Sequence, residues 1–272
     1  MKMTTPLPTI LTYQHNANLH TIQTKLTAIH PFDALAEPNR NLFKQATNED
    51  HVLITEETIF HPQGGGQPSD TGTITSTTSA ATFTVSSVRM DVLDDGQVLH
   101  LGRFSTPTVP FTPGESVTQT IDAQKRLLYS RLHTAGHVLG AAVRHLLEDE
   151  IEGFDELKAS HFPDSAACEF RGLIEGKWKG AIQEKVDEFV RAGMPVEVEW
   201  WGEEEFKERG LERLIPERRL GPGEKWRVVN IVGAEVYPCG GTHVERTDLC
   251  GGVTVRKISR SKGVSKVGYA VD

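Results

Sequence analysis

The hydrophobic rhythm of the chain changes once, near residue 120. Before that point the apolar residues fall in short β-prone runs: Val52-Leu53-Ile54, Ala81-Thr82-Phe83-Thr84-Val85 and Gln97-Val98-Leu99-His100-Leu101. Rich in Thr, Ser and Val and cut by Gly, Pro and Asp, they predict the strands of a small barrel or sandwich. Asp94-Asp95-Gly96 is expected to be a hairpin turn. Around Pro113 to Asp122 the β-like pattern is expected to stop.

Beyond it, Leu128, Leu132, Ala135, Leu139, Val143 and Leu146 recur at three- and four-residue steps. They predict an amphipathic helix over about Ala123 to Asp149 with one buried stripe. Residues 158–175 read as a loop entering a strand at Ala167-Cys168-Glu169-Phe170. A second helix is expected over about Lys177 to Ala192, ended by Gly193 and Pro195. A strand follows at Val196 to Trp200, with Val196, Val198 and Trp200 alternating. Next come a charged helix at about Glu203 to Arg213, a Pro/Gly-rich link to Gly223, and strands at Lys225–Ile231, Gly252–Ile258 and Lys266–Val271. The expected architecture has two domains: an N-terminal all-β small barrel, residues 1–122, then an α+β domain, residues 123–272, with a mostly antiparallel sheet.

Two short pieces carry candidate chemistry. His133-Thr134-Ala135-Gly136-His137 lies on the predicted long helix, where residues i and i+4 share a face about 6 Å apart along the axis. Cys239-Gly240-Gly241-Thr242-His243 follows Pro238 and reads as a tight turn. An HxxxH or a CxxxH alone is common without a metal; together they supply three imidazoles and a thiolate, a donor set suited to tetrahedral zinc. His161 and Cys168 are further ligand candidates, although Cys168 in a strand reads equally as a small core residue. One unusual loop, Phe60-His61-Pro62-Gln63-Gly64-Gly65-Gly66-Gln67-Pro68-Ser69-Asp70-Thr71-Gly72, interrupts the strands. A flexible hairpin loop fits it. So does a backbone surface against a substrate, with Gly64, Gly65 and Gly66 allowing close approach and Gln67 and Asp70 as polar handles.

Composition narrows the class. The chain has 272 residues, 38% hydrophobic and 24% charged, with a formal net charge of −8. That balance speaks against indiscriminate nucleic-acid binding but leaves room for a local basic face. Arg256, Lys257, Arg260, Lys262 and Lys266 make such a tail, which reads equally as a guarded strand edge. No apolar run is long enough to span a membrane, and none near the N-terminus resembles a secretory leader. Three cysteines, one of them committed to a metal, make no disulfide framework, so a cytoplasmic location is expected.

HTAGH on a helix, PCGGTH in a turn and FHPQGGGQPSDTG upstream, in that family's order, resemble the alanyl-tRNA editing proteins. These are free-standing relatives of the alanyl-tRNA synthetase editing domain and, more distantly, of threonyl-tRNA synthetase. The resemblance implies an N-terminal β-barrel followed by the editing domain, with no room for an aminoacylation core. It implies Zn2+ held by His133, His137, Cys239 and His243, with Gln67 facing the editing pocket. Lys266 stands where an arginine is expected in relatives. The implied activity is hydrolysis of serine or glycine wrongly esterified to the tRNA for alanine, and the implied partner is that mischarged tRNA; a monomer is expected.

A second site can reject alanine by demanding a hydrogen bond to the serine hydroxyl. Gln67, Thr134 and Thr242 are the candidates to line it. Four protein ligands are the closed, structural zinc pattern, so a catalytic ion needs a displaceable ligand, with His243 beyond its two glycines the candidate. Otherwise the ion anchors the amino group and a water oriented by the glycine loop attacks, which is the arrangement expected. Other classes stay open: a zinc-stabilised tRNA- or protein-binding module without hydrolase activity, a deacylase of another mischarged tRNA, or a metallopeptidase. Against the last, Thr134 stands where HExxH needs its glutamate.

Overall fold

The β-prone runs of the first half close on themselves. The computed structural model describes residues 7–272 except 80, 94–95, 107–109, 218–219 and 222, so Asp94 and Asp95 of the expected turn lie outside the described residues. By internal contacts the chain falls into two units. One runs to Gly64 and resumes over Pro68–Arg126; the other takes Gly65–Gln67 and Leu127–Asp272.

In the first unit six antiparallel strands form a closed barrel in the order Thr21–Pro31, His51–Thr55, Val98–Phe104, Thr82–Met90, Gly72–Ser76 and Ser116–Ile121. Each strand sends at least one fully buried side chain to the core, among them Leu26, Leu53, Val98, Phe83, Ile74 and Val117. Burying each contributes roughly 1.5–3 kcal/mol. The strand Ser116–Ile121 occupies the stretch where the β pattern was expected to stop. Its inward positions are Val117, Gln119 and Ile121, and the polar Gln119 interrupts the alternation. The buried Gln119 amide is satisfied by Thr55 Oγ1 and the Glu57 carbonyl, each at 3.0 Å. The Thr21–Pro31 strand was also not anticipated, because Thr24 takes an inward place beside Leu26.

Within the same unit Asp70 is 1% exposed and pairs with Arg126. Its carboxylate also accepts the His61 N–H at 2.6 Å, and Arg126 donates to the carbonyls of Ala17 and Ile59. An isolated buried charge would be costly, so this pair is tied into a network. The Asp70 oxygens, expected as a substrate handle, hold the loop closed through His61 and Arg126.

The second unit is built around one helix, Ala123–Leu147, of which residues from Leu127 onward belong to it. The single apolar stripe is an underestimate, since every residue from Leu132 to Arg144 is buried. A helix buried all round must pack against partners on several sides. Residues Leu132, Ala135, Leu139 and Val143 join Phe170, Ile182, Val186, Val229 and Val255 in one core. A four-stranded antiparallel sheet runs in the order Val253–Ser261, Val264–Val271, Ala167–Arg171 and Asp155–Ser160, and a three-stranded one in the order Val196–Trp201, Trp226–Ile231 and Glu235–Pro238. The second helix spans Lys179–Arg191. The charged helix is shorter than its pattern, Glu203–Glu208, because Gly210 adopts φ +66° and turns the chain. Two strands escaped the sequence reading: Asp155–Ser160, where a loop was expected, and Glu235–Pro238. Along Val196–Trp201, Val198 is exposed and Trp201 rather than Trp200 is buried.

In the barrel, His100 is fully buried, its Nδ1–H donating to the Leu53 carbonyl and its Nε2 accepting from Thr58. Burial lowers its pKa from 6.5 to about 4. Between those values the unfolded chain binds more protons than the folded one, so stability rises with pH across pH 4–6.5 and falls on acidification through it. The contribution is about 3 kcal/mol. Denaturant titrations at pH 4.5 and pH 7 are expected to show a smaller pH-dependent change for His100→Gln than for the wild type; equal changes would remove His100 as a source.

Candidate metal centre and cavity

The four expected ligands converge. One donor atom from each of His133, His137, Cys239 and His243 lies within 4.8 Å of the others. Cys239 Sγ is 3.4 Å from Nε2 of both His133 and His243. A tetrahedral zinc ion with Zn–S near 2.3 Å and Zn–N near 2.0–2.1 Å sets its sulfur and nitrogen ligands about 3.5 Å apart. The donor set and the spacing therefore fit such an ion. His133 and His137 reach the cluster from one turn of the buried helix. Cys239 follows the strand Glu235–Pro238, and Gly240-Gly241 bend the chain so that His243 returns to it. A Cβ on Gly241 would collide with the His133 ring, so this bend needs glycine.

Neighbouring groups aim the ligands. His133 Nδ1–H donates to Gln67 Oε1 at 2.7 Å, which leaves Nε2 with its lone pair toward Cys239. The Gln67 oxygen also accepts the Thr242 N–H, and its amide group donates to Thr242 Oγ1, which Ser130 also contacts. Thr134 Oγ1 lies 3.2 Å from His243 Nδ1 and accepts the Val244 N–H. The Gly241 N–H reaches Cys239 Sγ at 3.4 Å. Burial lowers the pKa of His137 well below the usual imidazole value, helped by the nearby His161 and Arg227. The Cys239 thiol is pushed up by burial, against the pull of the Gly241 N–H and Arg227. His137 Nδ1 is buried with no hydrogen-bond partner among the described residues. An unpartnered buried nitrogen is costly, and a cation on this ring would offset that cost.

A cavity of about 610 Å³ opens beside the cluster, with His133, His137 and Cys239 on its wall. This volume is that of a small-ligand site. Gly65 lines it, whereas Gln67, Thr134 and Thr242 do not; all three are 0% exposed. The structure brings them to the ligands but off the cavity wall, where they hydrogen-bond to the ligands and to one another. Gln67 contacts the His133 ring and Thr134 the His243 ring. His243 is 7% exposed and does not reach the cavity wall, unlike the other three ligands. Gly66, with φ +79°, packs against the Ala159 carbonyl and accepts the His161 N–H, while Gly64 is exposed in the first unit.

The other ligand candidates lie outside the cluster. His161 stacks on His133 at 4.1 Å and donates to Tyr269 Oη, and burial lowers its pKa to about 4. Cys168 donates to the Gly136 carbonyl as a core residue. The basic residues Arg256, Lys257, Arg260, Lys262 and Lys266 are exposed on the final hairpin. Missed from sequence were Glu156, Arg144 and Tyr237, all on the cavity wall. Gly136 and Gly140 were a usable signal, since two glycines in phase with two histidines mark a helix face stripped of side chains. No helix among the described residues is long and apolar enough to cross a membrane.

Comparison with known proteins agrees with this geometry. Residues 9–125 match the model for class II (A) tRNA synthetases, and residues 226–267, which hold Cys239 and His243, match the threonyl and alanyl tRNA synthetase second additional domain. The alanine–tRNA ligase of Methanothermobacter thermautotrophicus is 29% identical over 226 residues, 80% of this chain and 23% of the ligase. That of Methanosphaera stadtmanae is 30% identical over 82% of this chain and 24% of its own length, and that of Halorubrum lacusprofundi 31% over 82% and 23%. The chain thus spans about a quarter of these relatives. The chain is alanyl-tRNA synthetase-like over most of its length, and the segment with the PCGGTH motif matches the second additional domain of that family.

Proposed function

We propose that this protein is an aminoacyl-tRNA hydrolase that clears serine or glycine from mischarged alanine tRNA, and that residues 1–122 and 123–272 are its barrel and editing domains. The observation that carries the reading is a ligand-sized cavity walled by His133, His137 and Cys239, in a chain related to alanine–tRNA ligases. A zinc ion held by His133, His137, Cys239 and His243 would fix these side chains at the cavity wall and supply a positive charge beside the bound ester.

The protein's own groups do the rest. Gln67 holds the His133 tautomer, Thr134 steadies the His243 ring, and the Gly240-Gly241 bend keeps both ends of the turn on the cluster. Tyr237 Oη donates to the His137 carbonyl at 3.1 Å and its ring packs on His137, closing one side of the cavity. Aminoacyl esters are labile, so holding the ester and a water in register supplies much of the acceleration. The exposed basic hairpin is suited to tRNA phosphates. A cytoplasmic, monomeric protein is consistent with this role.

Purified protein is expected to release serine and glycine from alanine tRNA while sparing alanine by roughly 10²-fold or more. Removal of metal by a chelator should abolish the release and added zinc restore it. Release of all three amino acids at one rate, or of none, would end the deacylase reading. Gln67→Ala should weaken metal binding about 10–100-fold and slow release of serine and glycine together. Loss of serine release alone, with metal affinity intact, would make Gln67 a reader of the serine hydroxyl instead.

A further inference from the structure

The helix face that carries His133 and His137 continues in phase to Gly140 and Arg144, and all four line the cavity or its floor. A Cβ on Gly140 would collide with Glu156 Oε2 and approach Tyr237 Oη to 2.8 Å, so the missing side chain is the space this carboxylate occupies. Glycine within a helix costs about 1 kcal/mol relative to alanine, which makes an idle gap here unfavourable.

Glu156 is half-spent. Its Oε1 accepts from Arg144 Nε at 3.0 Å, whereas Oε2 has no hydrogen-bond partner among the described residues. Arg144 is itself shared with Glu235 at 3.1 Å, with Asp155 at 4.0 Å and with Glu148, so one guanidinium serves four carboxylates and neutralises none of them fully. Arg213 takes Glu235 from the other side, at 3.2 Å. Lys158 and Arg171, the remaining cations of the wall, are engaged by Glu169 and Asp155. A surplus of negative charge is left at Glu156 Oε2, in a half-closed cavity where burial already disfavours it.

We infer that Glu156 receives the α-ammonium group of the aminoacyl ester. The inference rests on the deacylase reading above and names the substrate contact within the same cavity. An α-amino group has a pKa near 7.7–8.0, so the amine arrives largely as a cation at neutral pH. Gly140 stands about 4.5 Å along the helix from His137, a span that an ester carbonyl and its α-nitrogen bridge. Four protein ligands leave a metal ion no open position for an amine. The carboxylate over Gly140 offers one instead. Selection for a free amine would also spare esters whose nitrogen is already acylated, such as peptidyl-tRNA.

The test compares seryl-tRNA with N-acetylseryl-tRNA, both on alanine tRNA, using the zinc-loaded full chain. The wild type is expected to prefer the free amine. In Glu156→Gln, kcat/KM for the free amine should fall about 10–100-fold, chiefly through KM, while the acetylated ester is unaffected and the preference collapses. Glu156→Asp should restore part of it. Glu148→Gln, which alters an Arg144 contact outside the cavity, should leave both rates in place. Binding of a non-hydrolysable 3′-seryl-amide of adenosine should weaken in Glu156→Gln, and its N-acetyl form should not. Should Glu156→Gln melt below the assay temperature, Glu156→Asp makes the same comparison. An equal fall for both esters would assign Glu156 to holding Arg144 and overturn the inference with the deacylase reading intact. Absence of hydrolysis by the wild type would overturn that reading and the inference with it.

Discussion

A helix buried on every side from Leu132 to Arg144 sets the terms for the second unit. Its buried polar groups are costly unless they find partners in the protein, and His137 Nδ1, which finds none among the described residues, is left for a cation. His133 finds Gln67, Thr134 finds the Val244 N–H and His243, and Arg144 finds four carboxylates. The Gly136 carbonyl is met by the Cys168 thiol. These contacts draw the distant Cys239–His243 turn and the strand Asp155–Ser160 onto one helix face. The cluster and the cavity are consequences of that requirement.

The face itself has a simple design. Histidine and glycine alternate as His133, Gly136, His137 and Gly140, so ligands project where glycines admit neighbours. Gly136 admits His161 and Tyr269; Gly140 admits Glu156 and Tyr237. Alanine at either place would force a side chain out of the wall. Gln67, Thr134 and Thr242 complete the arrangement from behind. Their hydrogen bonds orient the ligands, and the cavity wall is formed by other residues.

Much of the fold was legible because periodicity survives wherever core positions are apolar. The long helix, the second helix and the strands at Val98, Ala167 and Trp226 announce themselves in this way. The pattern fails where a polar residue takes an inward place and is satisfied there, as Gln119 and Thr24 are in the barrel. It fails again at Asp155–Ser160, which presents Glu156 to a cavity and so lacks a hydrophobic rhythm. Gly210 shortens a helix that charge alone would have extended.

By itself the sequence determined the secondary-structure grammar, the ligand types and the i,i+4 spacing that puts two imidazoles on one helix face, because these depend on neighbours along the chain. Only the tertiary structure decided that Cys239 and His243 meet that face, that Asp70 closes a loop with Arg126, and that Gln67 stands behind a ligand. It alone brought Glu156 over Gly140. Those outcomes turn on which buried groups find each other across separations from 16 residues (Gly140 to Glu156) to more than a hundred (His133 to Cys239), and no local spacing records that pairing.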